Sequence, residues 1–244
     1  MCRLLGIVAS QPVDFGALLA ARPRSLAALG EEHKDGWGLA SFARGRWQVH
    51  KGTRAASRDA RFHQRALALR GELLVSHVRK RTVGATRIAN SHPFASDGWV
   101  FAHNGTIEDR SWVASQVSPT RAAGIRGDTD SELFFAWVLT RLDAVGVADR
   151  PATRETDAVV ADLAAECRER PQFGSLNFLL SNGASCYVHR FGRSLFLLER
   201  GGRERKPAVF VASERMTDER WSEVEDKKLI RIDGGKAPRA TRIG

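Results

Sequence analysis

The chain has 244 residues and a net charge of +10, from 38 basic and 28 acidic side chains. This length can bury a sizeable core, so we expect one domain over residues 1–244, with residues 234–244 as a tail and no second catalytic domain. The basic residues are scattered, without a long run of like charges or a stripe interleaved with aromatic residues. We therefore expect no nucleic-acid partner. No stretch approaches the length of a transmembrane span, so we expect no membrane partner either.

The three cysteines of the chain are odd in number and lack paired spacing. This pattern argues against a disulfide framework and predicts a reducing, cytoplasmic location. His77, His92 and His103 match none of the zinc-binding spacings and have no cysteine pair beside them. We therefore predict structural histidines, no metal and no cofactor.

Apolar patterns in the first half of the chain predict five strands and one helix. In chain order these are strands at residues 4–9, 38–42 and 47–50, a helix at 57–70, and strands at 73–78 and 99–103. Ser57 is predicted to cap the helix and Gly71 to end it. The last two strands would then place Arg79 and Asn104 at their ends.

The second half of the chain begins with a helix signal and ends in short strands. Thr129 and Glu132 have the spacing of a capping box in front of an apolar helix. The elements predicted after it are a helix at residues 156–170 and strands at 176–180, 186–190, 195–198 and 209–212. Strands in two groups with helices between them predict an α+β layered fold.

Cys2 is the first candidate for catalysis, because it directly follows the initiator Met1. Removal of Met1 would put a thiol and a free α-amino group on the same residue. An N-terminal amine that acts as base for its own side chain is a recognised way to activate a nucleophile. A cysteine near a terminus is more often a small apolar residue of the first strand, so other residues must support the catalytic interpretation.

Five further segments accompany Cys2 in a fixed order. They are residues 33–38 (HKDGWG), 76–84 (SHVRKRTVG), 90–94 (NSHPF), 101–107 (FAHNGTI) and 127–132 (GDTDSE). With these segments the chain resembles the class II glutamine amidotransferases, which are N-terminal-nucleophile (Ntn) hydrolases, and within them the stand-alone glutaminase-like members. The resemblance implies a four-layer αββα sandwich, with its site at one end of two facing sheets. It also brings Ser213 and Glu214 near the site.

The resemblance implies that Asn104 and Gly105 form the oxyanion hole. The side-chain amide of Asn104 and the backbone N–H of Gly105 would be its donors, and the missing side chain of Gly105 lets a substrate approach closely. An Asn-Gly pair after a strand is also a common hairpin turn, and that interpretation remains open at this stage.

Binding the amino-acid end of a substrate requires a cation for the α-carboxylate and an anion for the α-ammonium. Arg79 suits the first because guanidinium binds carboxylate bidentately, and Asp130 suits the second. Thr82 would add a hydroxyl or backbone contact. Where many members of the family have a Trp or a small residue after the arginine, this chain has Lys80 and Arg81. Either could replace Arg79 as the carboxylate partner.

We therefore expect a cysteine amidohydrolase that cleaves the side-chain amide of glutamine, or of a γ-glutamyl compound, to glutamate plus ammonia or an amine. One alternative is a γ-glutamyl amide hydrolase of a small-molecule biosynthetic pathway. Another, from a different class, is a non-catalytic module that senses glutamine. An amidotransferase would need a separate synthase subunit as partner to accept the ammonia.

Overall fold

The computed structural model describes residues 2–149, 154–201 and 206–243. The strands of these residues are β1 (Arg3–Asp14), β2 (Trp37–Ala43), β3 (Arg46–Gly52), β4 (Arg70–Val78), β5 (Phe94–Ser96), β6 (Trp99–Ile107), β7 (Gly174–Ser181), β8 (Ser185–His189), β9 (Phe196–Arg200), β10 (Ala208–Ala212), β11 (Ser222–Glu223), β12 (Leu229–Asp233) and β13 (Arg239–Ile243). Their α-helices are α1 (Leu26–Leu29), α2 (Ala60–Ala68), α3 (Arg110–Ser115), α4 (Pro119–Ala123), α5 (Asp130–Ala144) and α6 (Arg154–Glu169).

The described strands form two antiparallel sheets. The first sheet has the order β11-β9-β10-β1-β4-β2-β3, and the second has the order β13-β12-β8-β7-β6-β5. Antiparallel neighbours can be joined by short connections, as in the described pairs β2–β3, β5–β6, β7–β8, β9–β10 and β12–β13, but pairs such as β1–β4 and β6–β7 join strands that are distant in sequence. Strand β1 is central in the first sheet, where it pairs with β4 on one side and β10 on the other.

Alternation of side chains along the strands divides the core into layers. In β4, Leu74 packs on the helix side of the first sheet with Phe62 of α2, whereas Val75 packs between the two sheets. In β6, Phe101 packs against Phe134 of α5 on the outer face of the second sheet. The order is therefore helix, sheet, sheet, helix. This arrangement confirms the predicted α+β fold and its four-layer αββα sandwich.

Helix α2 is shorter than predicted at both ends. Its N-cap is Asp59, whose carboxylate accepts the Arg61 N–H at 3.0 Å, and Ser57 lies in a preceding 3₁₀ turn. The same carboxylate accepts the indole N–H of Trp37 at 2.9 Å. The helix ends at Ala68, and Gly71 lies inside β4. Asp59 therefore caps the helix because a tertiary contact holds it in place, which the local pattern does not reveal.

The prediction that a strand ends before Asn104 is wrong, because β6 continues through Asn104 and Gly105 to Ile107. Asn104 pairs with Asn177 of β7 and Gly105 pairs with Leu176, so this Asn-Gly pair is not a turn. A Cβ atom at Gly105 would lie 2.0 Å from the carbonyl oxygen of Ser175. Only glycine fits this close approach between strands.

The end of the chain differs from the expected tail. Residues Arg239–Ile243 form β13, the edge strand of the second sheet, and pair with Leu229–Asp233. Strands β12 and β13 of the second sheet both lie after residues 209–212, the last strand that the sequence pattern predicts. Over the described parts of the chain, no helix is both long enough and apolar enough to cross a membrane.

Candidate active site

The two sheets bring the predicted catalytic residues to one end of the sandwich. Cys2 immediately precedes β1, and the pairing of Arg3 with Val78 places it beside the residues that follow β4. The Cys2 Sγ accepts the backbone N–H of Lys80 at 3.3 Å, and its thiol donates to the Lys80 carbonyl oxygen at 3.3 Å. The nucleophile candidate therefore lies directly against the segment that contains Arg79.

The surroundings of Cys2 raise the pKa of its thiol on balance. Burial is the largest influence and raises the pKa of the thiol, while the Lys80 N–H and the charge of Arg79 act in the opposite direction. The carboxylate of Asp130 also raises the pKa of Cys2. Since the thiolate is the nucleophilic form, a thiol with a raised pKa needs a base at the moment of attack.

Asn104 connects the second sheet to the first at this end of the sandwich. Its side chain is buried, and its Nδ2 donates to the Ser213 Oγ at 3.3 Å. The same Ser213 hydroxyl accepts the backbone N–H of Leu4 at 2.9 Å. Ser213 therefore links the Asn104 amide to Leu4, which lies two residues after Cys2 in the chain. An amide NH₂ group has two donors, so a second N–H is available for an oxyanion.

The expected proximity of Ser213 and Glu214 to the site is confirmed. Ser213 continues β10, and its N–H donates to the Leu4 carbonyl oxygen at 3.1 Å. Glu214 forms an ion pair with Arg3, the residue that follows Cys2. The bridging role of Ser213 depends on three strands that are distant in sequence. Its position directly after the predicted strand 209–212 is the one local signal.

Arg79 is buried, and its guanidinium is turned beneath the loop that follows it. It donates to the carbonyl oxygens of Val83 at 2.6 Å, Gly84 at 3.3 Å and Ala85 at 3.0 Å. Burial is the main influence on the pKa of Arg79 and lowers it, and the neighbouring Cys2 raises it. These three hydrogen bonds hold residues 83–85 of the loop against the buried guanidinium.

The neighbours of Arg79 face the other way. Lys80, Arg81 and Thr82 are exposed, and Thr82 lies on the same loop. The backbone N–H of Arg81 donates to the Asp35 carboxylate at 2.9 Å. Of the three consecutive cations, only Arg79 is therefore buried beside the nucleophile, whereas Lys80 and Arg81 point towards solvent.

Asp130 is the first residue of α5, and its carboxylate is buried. Its Oδ2 accepts the backbone N–H of Ile107 at 2.8 Å, and its Oδ1 accepts the Ser131 hydroxyl at 3.3 Å. These bonds hold the carboxylate between the start of α5 and the end of β6. The Thr129 hydroxyl caps the helix as predicted by accepting the Glu132 N–H at 3.2 Å. The Glu132 carboxylate instead accepts the N–H groups of two preceding residues, 126 and 127.

Asn90 supports the site without having been predicted to do so. Its side chain is buried, and its Nδ2 donates to the Ala85 carbonyl oxygen at 2.8 Å and to Asp128 Oδ1 at 2.5 Å. Its Oδ1 accepts the Asp128 N–H at 3.0 Å. Asn90 therefore ties the loop over Arg79 to the segment that leads into Asp130. Asn90 belongs to the 90–94 segment (NSHPF) that resembles the family, but the sequence does not indicate this supporting role.

Two buried histidines lie next to each other in the core, and the first of them, His77, pairs with Leu4 of β1 and Gly38 of β2. The rings of His77 and His92 have centroids 4.3 Å apart, and none of their ring nitrogens has a hydrogen-bond partner of good geometry among the described residues. The pKa of His77 is lowered to about 3, mainly by burial and also by the nearby His103, Arg79 and His33. The pKa of His92 is lowered well below its ordinary value by burial and by His77. Among the described residues, no group of three or more His, Cys, Asp or Glu could hold a metal ion.

This histidine pair should make the fold sensitive to acid. Below pH 6.5 the histidines become protonated in the unfolded chain. In the folded protein, His77 stays neutral until the pH approaches about 3. The free energy of unfolding should therefore decrease as the pH falls through this window, by up to about 1.4 kcal/mol per pH unit for each histidine. Urea unfolding between pH 7 and pH 4 measures this slope. His77→Leu should reduce it, and an unchanged slope in that variant would contradict the assignment.

Comparison with known proteins identifies the family. A model of the class II glutamine amidotransferases matches residues 1–202, so the chain belongs to this family. A relative from Haemophilus influenzae is 28% identical over 200 residues, which are 78% of this chain and 63% of that protein. The chain therefore spans less than two thirds of that relative.

Two further comparisons cover nearly the whole chain. A γ-glutamyl-hercynylcysteine sulfoxide hydrolase of Mycobacterium tuberculosis is 29% identical over 243 residues, which are 95% of this chain and 93% of that protein. The glutamine phosphoribosylpyrophosphate amidotransferase of Bacillus subtilis has a similar structure, with a TM-score of 0.67 and 17% identity. That similarity covers 99% of this chain and 49% of the larger protein. It supports the αββα fold.

Proposed function

We propose that this class II glutamine amidotransferase chain hydrolyses the side-chain amide of glutamine or of a γ-glutamyl compound, with Cys2 as nucleophile. The observation that supports this most strongly is the convergence of four groups from distant parts of the sequence. Cys2 touches the segment containing Arg79, and Asn104 is joined to β1 through Ser213. Asp130 lies at the end of β6 and influences the pKa of Cys2.

The first half of the proposed reaction forms a thioester. After removal of Met1, the α-amino group of Cys2 takes the thiol proton, and the Sγ attacks the carbonyl carbon to form a C–S bond. The side-chain amide of Asn104 and the N–H of Gly105 stabilise the oxyanion that develops. When the intermediate collapses, the C–N bond breaks. The ammonium of Cys2 returns its proton to the leaving nitrogen, and ammonia or an amine departs.

The second half of the reaction releases glutamate. A water molecule takes the place of the leaving amine and attacks the thioester carbonyl, while the α-amino group of Cys2 accepts a proton from it. The C–S bond then breaks, the thiol regains the proton, and free glutamate leaves. No electrons are exchanged with an external group at any step, so the proposed reaction needs no redox partner.

Substrate selection is assigned to the pair formed by Arg79 and Asp130. The guanidinium would bind the α-carboxylate, the carboxylate would bind the α-ammonium, and Thr82 would add a polar contact from the loop. The burial of Arg79, beside exposed Lys80 and Arg81, favours it as the carboxylate partner. The M. tuberculosis relative, by its name a γ-glutamyl hydrolase, supports γ-glutamyl amides as the substrate class.

Replacing either member of this pair should mainly raise KM. Arg79→Ala or Asp130→Ala removes an interaction that the ground state and the transition state share, so KM for glutamine should increase about 10- to 100-fold. Arg79→Lys should recover part of the affinity, because it restores the charge without the bidentate geometry. The measurement is the initial rate of glutamate release over a range of glutamine concentrations.

Two exposed residues far from the site provide controls for that experiment. Arg46→Ala and Asp162→Ala remove the same charges from β3 and α6, and should leave KM unchanged. A loss confined to kcat in Arg79→Ala and Asp130→Ala would contradict substrate binding by this pair. A large KM increase in Lys80→Ala or Arg81→Ala instead would move the carboxylate site by one or two residues.

The proposed function itself is tested with a panel of amides. Protein whose free Cys2 terminus has been verified by intact mass should release glutamate from glutamine or from γ-glutamyl amides. It should act much more slowly on asparagine, because a side chain shorter by one methylene misplaces the amide relative to Cys2. Absence of glutamate release from every member of the panel would contradict the proposal.

A further inference from the structure

The segment that touches Cys2 presents two cations to solvent. Both the N–H and the carbonyl oxygen of Lys80 lie 3.3 Å from the Cys2 Sγ. The preceding side chain, Arg79, is buried, while the side chains of Lys80 and Arg81 are exposed. Among the described residues, neither of these two side chains forms an ion pair or a hydrogen bond. They project from the rim of the site with their charges available.

Nearby acidic groups offset only part of the charge of Lys80 and Arg81. The Asp35 carboxylate accepts the main-chain N–H of Arg81 at 2.9 Å and the Thr86 hydroxyl at 3.3 Å. Glu214 is paired with Arg3, the residue that follows Cys2. Together, Lys80, Arg81 and the Asp35 carboxylate leave this rim with one net positive charge.

Glutamine has no group for these cations to bind. Its α-carboxylate and α-ammonium belong to the buried pair Arg79 and Asp130, and its leaving group is an uncharged NH₂. The carbonyl carbon of a substrate must reach the Cys2 Sγ, which lies 3.3 Å from the main chain of Lys80. A group attached to the leaving nitrogen would then lie close to this segment, where the flexible four-carbon stem of Lys80 lets its ammonium reach it.

We propose that the preferred substrate is a γ-glutamyl amide whose amine half contains a carboxylate or another anionic group, and that Lys80 and Arg81 bind this anion. This inference rests on the proposed function and adds the chemical class of the leaving amine. Because the cations are exposed, each should contribute only about two- to five-fold to kcat/KM, and salt should weaken the contribution.

A matched pair of substrates tests the inference. γ-Glutamylglycine and γ-glutamylglycinamide have the same skeleton, but only the first has an anionic carboxylate on its amine half. At low salt, the ratio of kcat/KM for the acid to that for the amide should decrease about two- to five-fold in Lys80→Gln or Arg81→Gln, and further in the double variant. It should also decrease when NaCl is added to the unsubstituted protein.

The intrinsic reactivities of the two amides differ, but this difference is the same in every variant and cancels between variants. Arg46→Gln is the charge control, because Arg46 is exposed and lies at the far end of its hairpin from the site. Arg46 pairs with Ala43 beside the turn, whereas Trp37, at the other end of the same hairpin, pairs with Val78 near the site. That variant should keep the original ratio.

Two outcomes would overturn the inference and leave the proposed function intact. The first is an unchanged ratio in Lys80→Gln, Arg81→Gln and the double variant, with both amides cleaved. The second is cleavage of glutamine with no cleavage of γ-glutamylglycine. Failure to cleave glutamine and both γ-glutamyl amides would instead refute the proposed function, and the inference with it.

Discussion

Asn104→Ala should lower kcat for glutamine hydrolysis by about 10²- to 10³-fold, the loss seen when one oxyanion donor is removed from other acyl-transfer enzymes. KM should change little, because the oxyanion exists only in the transition state and the intermediate. The structure makes this a sharp test, since the Asn104 amide is already oriented by its bond to the Ser213 hydroxyl. Ser213→Ala should cause a smaller loss of kcat by freeing the amide to rotate.

Asn177 provides a matched control for that variant. It lies opposite Asn104 in β7, is fully buried, and donates to the carbonyl oxygens of Arg193 at 3.1 Å and Ser194 at 3.2 Å. Asn177→Ala should lower the free energy of unfolding by about 1–3 kcal/mol, because it removes the hydrogen bonds of a fully buried side chain. Its kcat, measured where the variant is folded, should fall far less than that of Asn104→Ala. Full activity in Asn104→Ala would exclude Asn104 from the oxyanion hole.

Local sequence predicted the parts of the fold that depend on local physics. The hairpin at residues 38–50 turns at Arg44 and Gly45, which have φ values of 53° and 75°, the left-handed region that suits a tight turn. The N-terminal cap of α5 at Thr129 follows from the hydrogen bond that its hydroxyl can accept. These features involve neighbours in sequence, so the pattern contains the information.

The failures have a common physical cause in contacts between distant residues. Asn104 and Gly105 have the strongest local turn signal in their region, but eight residue pairs between β6 and β7 hold them in a strand. Asp59 displaces Ser57 as a helix cap because Trp37 also binds its carboxylate. Tertiary pairing overrides local propensity in both cases.

The same distinction applies to the site. Cys2, Arg79, Asn104 and Asp130 could be selected because each belongs to a motif that resembles the family, and the structure brings them together. Asn90 contacts residue 128, 38 positions further along the chain, through a buried side chain. No local signal indicates such a contact. Residues that hold other residues in place are therefore the ones that sequence analysis of a single chain misses.

We propose that the α-amino group of Cys2 is the catalytic base. A protein with any residue left in front of Cys2 should therefore hydrolyse glutamine about 10²- to 10⁴-fold more slowly than the processed form, which is the range that a general base contributes. The thiol is still present in the blocked form. Its amine has become an amide, which accepts no proton at neutral pH, and burial raises the pKa of the thiol.

Comparing one preparation before and after a protease exposes Cys2 tests this claim most directly. The chain carries an N-terminal tag that ends immediately before Cys2, and initial rates of glutamate release are measured on both forms, with intact mass confirming each terminus. A Cys2→Ser version, cleaved in the same way, accounts for any activity that does not need the thiol. The mechanism predicts that glutamine hydrolysis appears with exposure of Cys2. Equal rates in the blocked and exposed forms would contradict it, even if Cys2→Ser were inactive.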